Sequence, residues 1–251
     1  MNISSWRFKM SWKFRIFGLA LYISYSVCSA LGVDKLVGEL NVTKGFNKVI
    51  TFTLFNDRDD TIFITSKGLA WDMDKLGNLS TVPSNDLEIF PPVHRVNPGD
   101  SAVFKVRYVG DSIEGEGLYR VMFNEILIPT PEKENEKLAD IKTVTPNVGV
   151  GMAITVPVYV SDFSKKEKEL VKVVASYKQN GRKLSLFVKN MGDSRINIRQ
   201  YILNGTKING LGTVLARHER LFNIDTTEAI SSLVLQVVHH DKIENIIVIR
   251  E

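Results

Sequence analysis

Few side chains in this sequence stand at spacings that could do covalent or metal chemistry. His239 and His240 are adjacent in an apolar run. Neighbouring side chains of an extended segment point to opposite faces, so this pair is not expected to share a metal ion. His94 and His218 have no ligand-spaced partners. The carboxylates Asp72/Asp74 and Glu114/Glu116 sit two apart in strand-end or loop segments. They lack the flanking histidine or glycine architecture that general acid–base catalysis needs. There is no Gly-x-Ser-x-Gly elbow, P-loop or dinucleotide fingerprint. The residues read as a protein that is not an enzyme and has no cofactor and no metal.

The segment with the most information is 148–160, VGVGMAITVPVYV. Val148, Val150, Met152, Ile154, Val156, Val158 and Val160 share one parity, and Gly149, Gly151, Ala153, Thr155, Pro157 and Tyr159 the other. In an extended strand this gives one continuous apolar face and one mostly small face. Two readings stay open on pattern alone. The first is a buried sandwich strand. The second is an edge, favoured by Pro157, which cannot donate to a ladder, and by a length above the usual five or six residues. A long apolar edge invites pairing with another chain.

Such a strand needs a scaffold, and the sequence supplies short strands almost throughout. Apolar runs at 35–42, 48–55, 61–71, 87–90, 101–108, 118–128 and 148–160 are separated by turn compositions such as Asn97-Pro98-Gly99-Asp100. Their spacing predicts an immunoglobulin-like sandwich. A second set at 170–177, 184–189, 196–203, 212–216, 231–239 and 243–249 follows the charged stretch 161–167, which reads as a linker. Asn180-Gly181 is a hairpin signal. A short helical turn over 166–172 is an open alternative. Between 130 and 147 lies a proline-flanked, charge-rich loop, read as solvated, with a lid or partner-gripping role as the alternative.

The N-terminus reads as a cleavable signal over 1–30. Arg7, Lys9, Lys13 and Arg15 precede an apolar run from Ile16 to Val27, and Val27-Cys28-Ser29-Ala30 places small residues for a cut after Ala30. The run is too short for a membrane span, so none is expected after cleavage. Removing four basic and no acidic residues from 32 Lys+Arg and 28 Asp+Glu leaves the signs equal, which argues against a nucleic-acid partner. The single cysteine, Cys28, leaves too, so the mature chain of about 220 residues cannot be a disulfide scaffold. The expected division is a signal at 1–30, an N-terminal domain at 31–161 and a C-terminal domain at 162–251.

Several pieces, in their order, resemble the periplasmic pilus (fimbrial) chaperone family. Leu87-Glu88-Ile89-Phe90-Pro91-Pro92-Val93 is similar to that family's strand ending in a Pro-Pro turn. Asn97-Pro98-Gly99-Asp100 and the basic strand Phe104-Lys105-Val106-Arg107 follow. Glu116-Gly117-Leu118-Tyr119-Arg120-Val121-Met122-Phe123, running on to Ile128-Pro129, resembles its Glu-x-Leu-aromatic strand before a variable loop. The resemblance implies an all-β chain of two immunoglobulin-like β-sandwich domains in an L or boomerang arrangement. It implies a periplasmic location, pilus subunits (pilins or an adhesin) as partners, and an outer-membrane usher as the recipient. The long strand would be donated to an incomplete subunit, with Val148, Val150, Met152, Ile154 and Val156 as donor residues, and could also pair with a second copy. In the family an arginine and a lysine anchor the subunit's terminal carboxylate. Here the corresponding positions fall near Leu40 and Val156, which cannot bind one, and Lys35 and Lys44 are the nearest substitutes. The alternative reading is a surface or pilus structural or adhesive β-sandwich subunit. The mature residues lack the cysteine pair and free N-terminal extension that resemblance to such a subunit would require.

Overall fold

The computed structural model describes residues 31–43, 49–111, 113–126, 151–166, 170–240 and 242–251. The expected signal at 1–30 and the charged loop at 130–147 lie outside the described residues.

In the first half the described strands are β1 (Leu31–Val33), β2 (Gly38–Asn41), β3 (Val49–Asn56), β4 (Ile62–Met73), β5 (Leu79–Pro83), β6 (Leu87–Phe90), β7 (Val93–Val96), β8 (Ser101–Tyr108), β9 (Gly117–Ile126) and β10 (Ala153–Ser161). They form two facing sheets, β1-β3-β8-β6 and β2-β10-β9-β4-β5, with β7 also paired to β4. The period-two pattern decides which side chains enter. In β8, Ala102, Phe104, Val106 and Tyr108 are buried and the residues between them are exposed. The core centres on Phe52, Phe104 and Phe123, all fully buried. Their ring centroids lie 5.8 Å (Phe52–Phe123) and 5.0 Å (Phe104–Phe123) apart, within the favourable range for aromatic pairs.

Two strand switches close this sandwich. The Pro91-Pro92 bend passes the chain from β6, paired with β8, to β7, paired with β4 in the other sheet. Likewise β1 pairs with β3 in one sheet and β2 with β10 in the other. Gly38 stands at that second crossing, where a Cβ would lie 2.6 Å from Ile50 Cδ1, so only glycine fits without displacing the core.

After β10 a helical turn, α1 (Phe163–Lys166), leads to the second half. Its strands are β11 (Val173–Asn180), β12 (Lys183–Asn190), β13 (Ile196–Leu203), β14 (Thr206–Val214), β15 (Glu219–Asp225), β16 (Leu233–His239), β17 (Lys242–Ile247) and β18 (Ile249–Arg250). The sheets are β15-β12-β11-β18 and β14-β13-β16-β17, around a second core that includes Leu184, Leu186, Ile198, Leu235 and Val237. The Asn180-Gly181 signal is the β11–β12 hairpin, with Gly181 in the left-handed region at φ +57°. The chain is thus all-β with two immunoglobulin-like sandwiches, as the strand pattern predicts.

One device occurs in both sandwiches. Asn56 ends β3 and Asn190 ends β12, and both are buried. Asn56 Nδ2 donates to the carbonyls of Asp60, Val96 and Asn97 at 2.8, 3.2 and 3.1 Å. Asn190 Nδ2 donates to those of Ser194, Val214 and Leu215 at 2.8, 3.4 and 3.0 Å. Each side-chain oxygen also accepts the N–H two residues on, from Arg58 and Gly192. A single amide fastens two loops to the end of a core strand, satisfying carbonyls that water cannot reach.

The two halves meet at a seam where Trp71, Tyr159 and Leu215 are buried together. Arg195 crosses it. Its guanidinium pairs with Glu116 and Glu39 and lies 3.6 Å from the Tyr159 ring centroid. Its N–H donates to Glu116 at 3.0 Å. His218 Nε2 and Asp72 are 2.7 Å apart, and Leu221 N–H donates to Lys75 O at 2.7 Å.

Two predictions follow from these contacts. Replacing Asn56 or Asn190 by alanine leaves buried carbonyls without donors and costs about 1–3 kcal/mol. Urea unfolding should show a lower midpoint with an unchanged slope. Burial is the main cause that raises the phenols of Tyr108, Tyr119, Tyr159 and Tyr201 above their usual range. The folded chain therefore keeps protons that the unfolded chain gives up. Stability should be unaffected below about pH 10 and fall as pH rises above it. An alkaline titration should show phenolate absorbance from these residues arriving with unfolding rather than before it.

Candidate subunit-binding edge and seam

β10 runs antiparallel to β9 from Ala153↔Asn124 to Val160↔Gly117. Glu125 N–H donates to Met152 O at 2.9 Å, so 152 and 125 form a hydrogen-bonded pair. Antiparallel alternation then directs the backbone groups of Ile154, Val156, Val158 and Val160 toward β9. Those of Ala153, Thr155, Pro157, Tyr159 and Ser161 point the other way. Ser161 O fits this parity, accepting from Val42 N–H on the far side at 3.0 Å. On that side β2 pairs with β10 only from Val158 to Ser161. Among the described residues nothing pairs with Ala153 to Pro157 on that flank, which makes them an open edge. Pro157 lacks its N–H where the group would face outward, so the β9 ladder loses nothing. Among the described residues the edge expected from Pro157 is therefore the stretch Ala153 to Pro157, with Val158 to Ser161 covered by β2.

The nominated donor residues fall into three positions. Val148 and Val150 lie outside the described residues. Met152 and Ile154 are partly buried, packed against the edge of the first core. Val156 is 2 % exposed and sits inside that core beside Val158 and Val160, filling its own sandwich. Of the two lysines, Lys44 lies outside the described residues. Lys35 is half-exposed, with Nζ donating to Thr51 O at 2.9 Å and 3.9 Å from the Asp34 carboxylate.

A basic group that the sequence reading passed over stands beside the free edge. Arg120 on β9 is the register partner of Pro157 and, on its other flank, of Leu69 on β4. Alternation along β9 places Tyr119, Val121 and Phe123 in the core and turns Arg120 to the opposite face. Its guanidinium lies 4.7 Å from the Trp71 ring centroid, and its Nε is buried without an acceptor. Trp71 Nε1 and Arg220 Nε, also near the seam, are buried donors without acceptors too. Buried polar groups are normally paired, so these three donors, without acceptors among the described residues, are incompletely satisfied. The signal was present in the sequence only as one arginine at an outward-facing strand position.

The other titratable candidates are structural. Glu116 is buried against Arg195, and Asp72 meets His218. Asp74 accepts from the Leu76 and Asn78 N–H groups and from Asn78 Nδ2, which holds its carboxyl below the usual range. The two adjacent histidines correct an expectation. His240 takes φ +47° in the β16–β17 turn, and its ring centroid lies 3.8 Å from that of His239. The rings do not point to opposite faces, because the strand ends between them. Among the described residues no group of three or more His, Cys, Asp or Glu is placed to hold a metal.

No family model and no curated protein sequence matches this chain. Solved structures do. A chain of the CsuC–CsuE chaperone–tip adhesion subunit pre-assembly complex, from the archaic chaperone-usher Csu pili of Acinetobacter baumannii, is 16% identical. That match covers 89% of this chain and 100% of that one with a TM-score of 0.62. The class 5 fimbriae chaperone CfaA is 10% identical over 88% of this chain and 99% of its own, with a TM-score of 0.59. The E. coli chaperone DraB is 14% identical over 89% and 97%, with a TM-score of 0.57. At these identities the likeness is one of fold, and it spans both sandwiches: the chain has the two-sandwich fold of pilus and fimbrial chaperones.

Proposed function

We propose that this chain is a divergent periplasmic chaperone of pilus subunits. In this reading it is exported on a signal at 1–30 and works through two domains, 31–161 and 162–251. It holds a subunit at the free edge of β10 and delivers it to an outer-membrane usher, without catalysis. The observation that supports the reading is the stretch Ala153 to Pro157, paired with β9 on one side and, among the described residues, with nothing on the other, in a chain with the fold of such chaperones.

The chemistry is backbone pairing. An incoming strand accepts the N–H groups of Ala153 and Thr155 and donates to the outward carbonyls of the same edge, which gives affinity with little sequence demand. Met152 and Ile154, continuing to Val150 and Val148, supply alternate apolar side chains to the subunit. Val156 stays in its own core and fixes the strand from beneath. Arg120, with Trp71 behind it, takes the carboxylate that ends the subunit chain, in place of a basic pair on other strands. A guanidinium stacked on an aromatic face can still bind a carboxylate in two-pronged fashion. Lys35 is engaged locally and has no part in this grip.

Three variants test the reading by co-purification with a co-expressed pilus subunit. Ile154→Glu should abolish capture while the free protein stays folded. Thr155→Pro removes an outward donor and should weaken capture without touching the β9 ladder. Arg120→Gln should weaken it roughly tenfold, about 1.4 kcal/mol. Capture unchanged in both Ile154→Glu and Thr155→Pro would show that the subunit binds elsewhere.

A further inference from the structure

On one side of the seam the sandwiches are tied by chain and by charge. The chain leaves the first sandwich at Ser161, the end of β10. Arg195, just before β13, meets Glu39 on β2, Glu116 just before β9 and the Tyr159 ring on β10. These ties gather toward the β2-β10 edge of a sheet ordered β2-β10-β9-β4-β5, and ties gathered at one edge act as a pivot. The cluster of Trp71, Tyr159 and Leu215 beside them is apolar, and apolar contact is non-directional. Domains joined in this way move relative to one another unless the interface is large.

A second set of contacts lies toward the other edge. The turn between β4 and β5 reaches β15, an end strand of the second sandwich in the sheet that does not contain β13. Lys75 O accepts the Leu221 N–H at 2.7 Å, and Asp72 lies 2.7 Å from His218 Nε2. Arg220 Nη1 donates to the Met73 sulfur on β4 and to Thr213 O on β14. Its guanidinium lies 4.8 Å from the Phe222 ring centroid, so Arg220 joins β4 to both sheets of the second sandwich. Gly77 lies against the same guanidinium, where a Cβ would stand 2.6 Å from Arg220 Nη2. The turn itself is well braced. Asp74 accepts the N–H groups of Leu76 and Asn78, and Gly77 holds φ +93°, which glycine adopts without a steric cost.

We propose that the β4–β5 turn is a strap that fixes the angle between the two sandwiches, with Arg220 as the positioning residue that seats it. Three inter-strand spacings separate β2 from β4, which puts pivot and strap about 14 Å apart. Attachment at that distance resists the swing that a pivot alone permits. The second sandwich is then held in one orientation to β10, whatever β10 binds.

Residual dipolar couplings, measured by NMR on the full chain, report the relative orientation of the sandwiches separately from the integrity of either. In the unaltered chain one alignment tensor should fit the couplings of both. Exchanging 74–78 for an Asn-Gly turn keeps the β4–β5 pairing up to Met73↔Leu79 and removes the strap. Each sandwich should then still fit a tensor of its own, and the common fit should be lost. Arg220→Ala leaves the turn in place and should cause the same loss to a smaller degree. Unchanged chemical shifts of Phe104 and Leu186 verify that both cores are intact; if the shortened turn disturbs Phe104, Arg220→Ala alone decides. One tensor that still fits both sandwiches in the variants would overturn the proposal, since the Arg195 side would then fix the angle by itself. So would a need for separate tensors in the unaltered chain, where the strap would then be holding nothing.

Discussion

A backbone amide or carbonyl taken out of water must find a partner, and among the described residues β10 is flanked on both sides except at Ala153 to Pro157, where only β9 lies alongside. That exception organises the molecule. Antiparallel geometry sends alternate residues to opposite neighbours, so β9 can secure Ile154 and Val156 while the outward groups of Ala153 and Thr155 have no partner among the described residues. β2 closes the same flank only from Val158 onward. A strand can therefore be firmly held and still have bonding capacity to offer. The even-numbered side chains grade from core at Val156 to partly buried at Ile154 and Met152, so the apolar face becomes available in the direction in which the edge is open.

The seam between the sandwiches uses charge differently. Arg195 is matched by Glu116 and Glu39 and stacked on Tyr159. The desolvation of its guanidinium is offset by two carboxylates and a ring face, and removing either Glu116 or Arg195 would strand a partly buried charge. Arg120, across from Pro157, has the Trp71 ring and no carboxylate among the described residues. The contrast between these two arginines is what marks Arg120 as incomplete. In the proposed reading, its position on the outward face beside the open edge gives that incompleteness a use.

Much of the fold could be read from residue order, because buried strands carry strong alternation: β3, β8, β12 and β16 are plain in the apolar pattern. The strands missed, β1, β5, β7, β15 and β18, are very short, exposed or rich in charge. β5 is exposed throughout, and its Leu79 and Val82 do not alternate against a core. β7 is a short strand beyond a Pro-Pro bend, and β15 carries Glu219, Arg220 and Asp225 among its seven residues. β14 begins at Thr206, well before the apolar run at 212–216, because its first half pairs with β13 at the surface. The β10 strand was visible as parity in 148–160, but which part of it β2 covers depends on a contact more than a hundred residues away in sequence. Arg120 was legible only as a residue type. What distinguishes it is what faces it across the sheet, which a single sequence does not state.

The central claim is that a subunit's strand pairs with β10 on the flank left by β2. Hydrogen exchange at Ala153 and Thr155, read by NMR in the free protein and in its complex with a pilus subunit, tests it most directly. In the free protein both amides should exchange rapidly while their neighbours Ile154 and Val156 are protected. In the complex both should slow by orders of magnitude, as new ladder donors do. Amides of Ala153 and Thr155 that stay fast in a stable complex would contradict the account, since the subunit would then be held by some other surface.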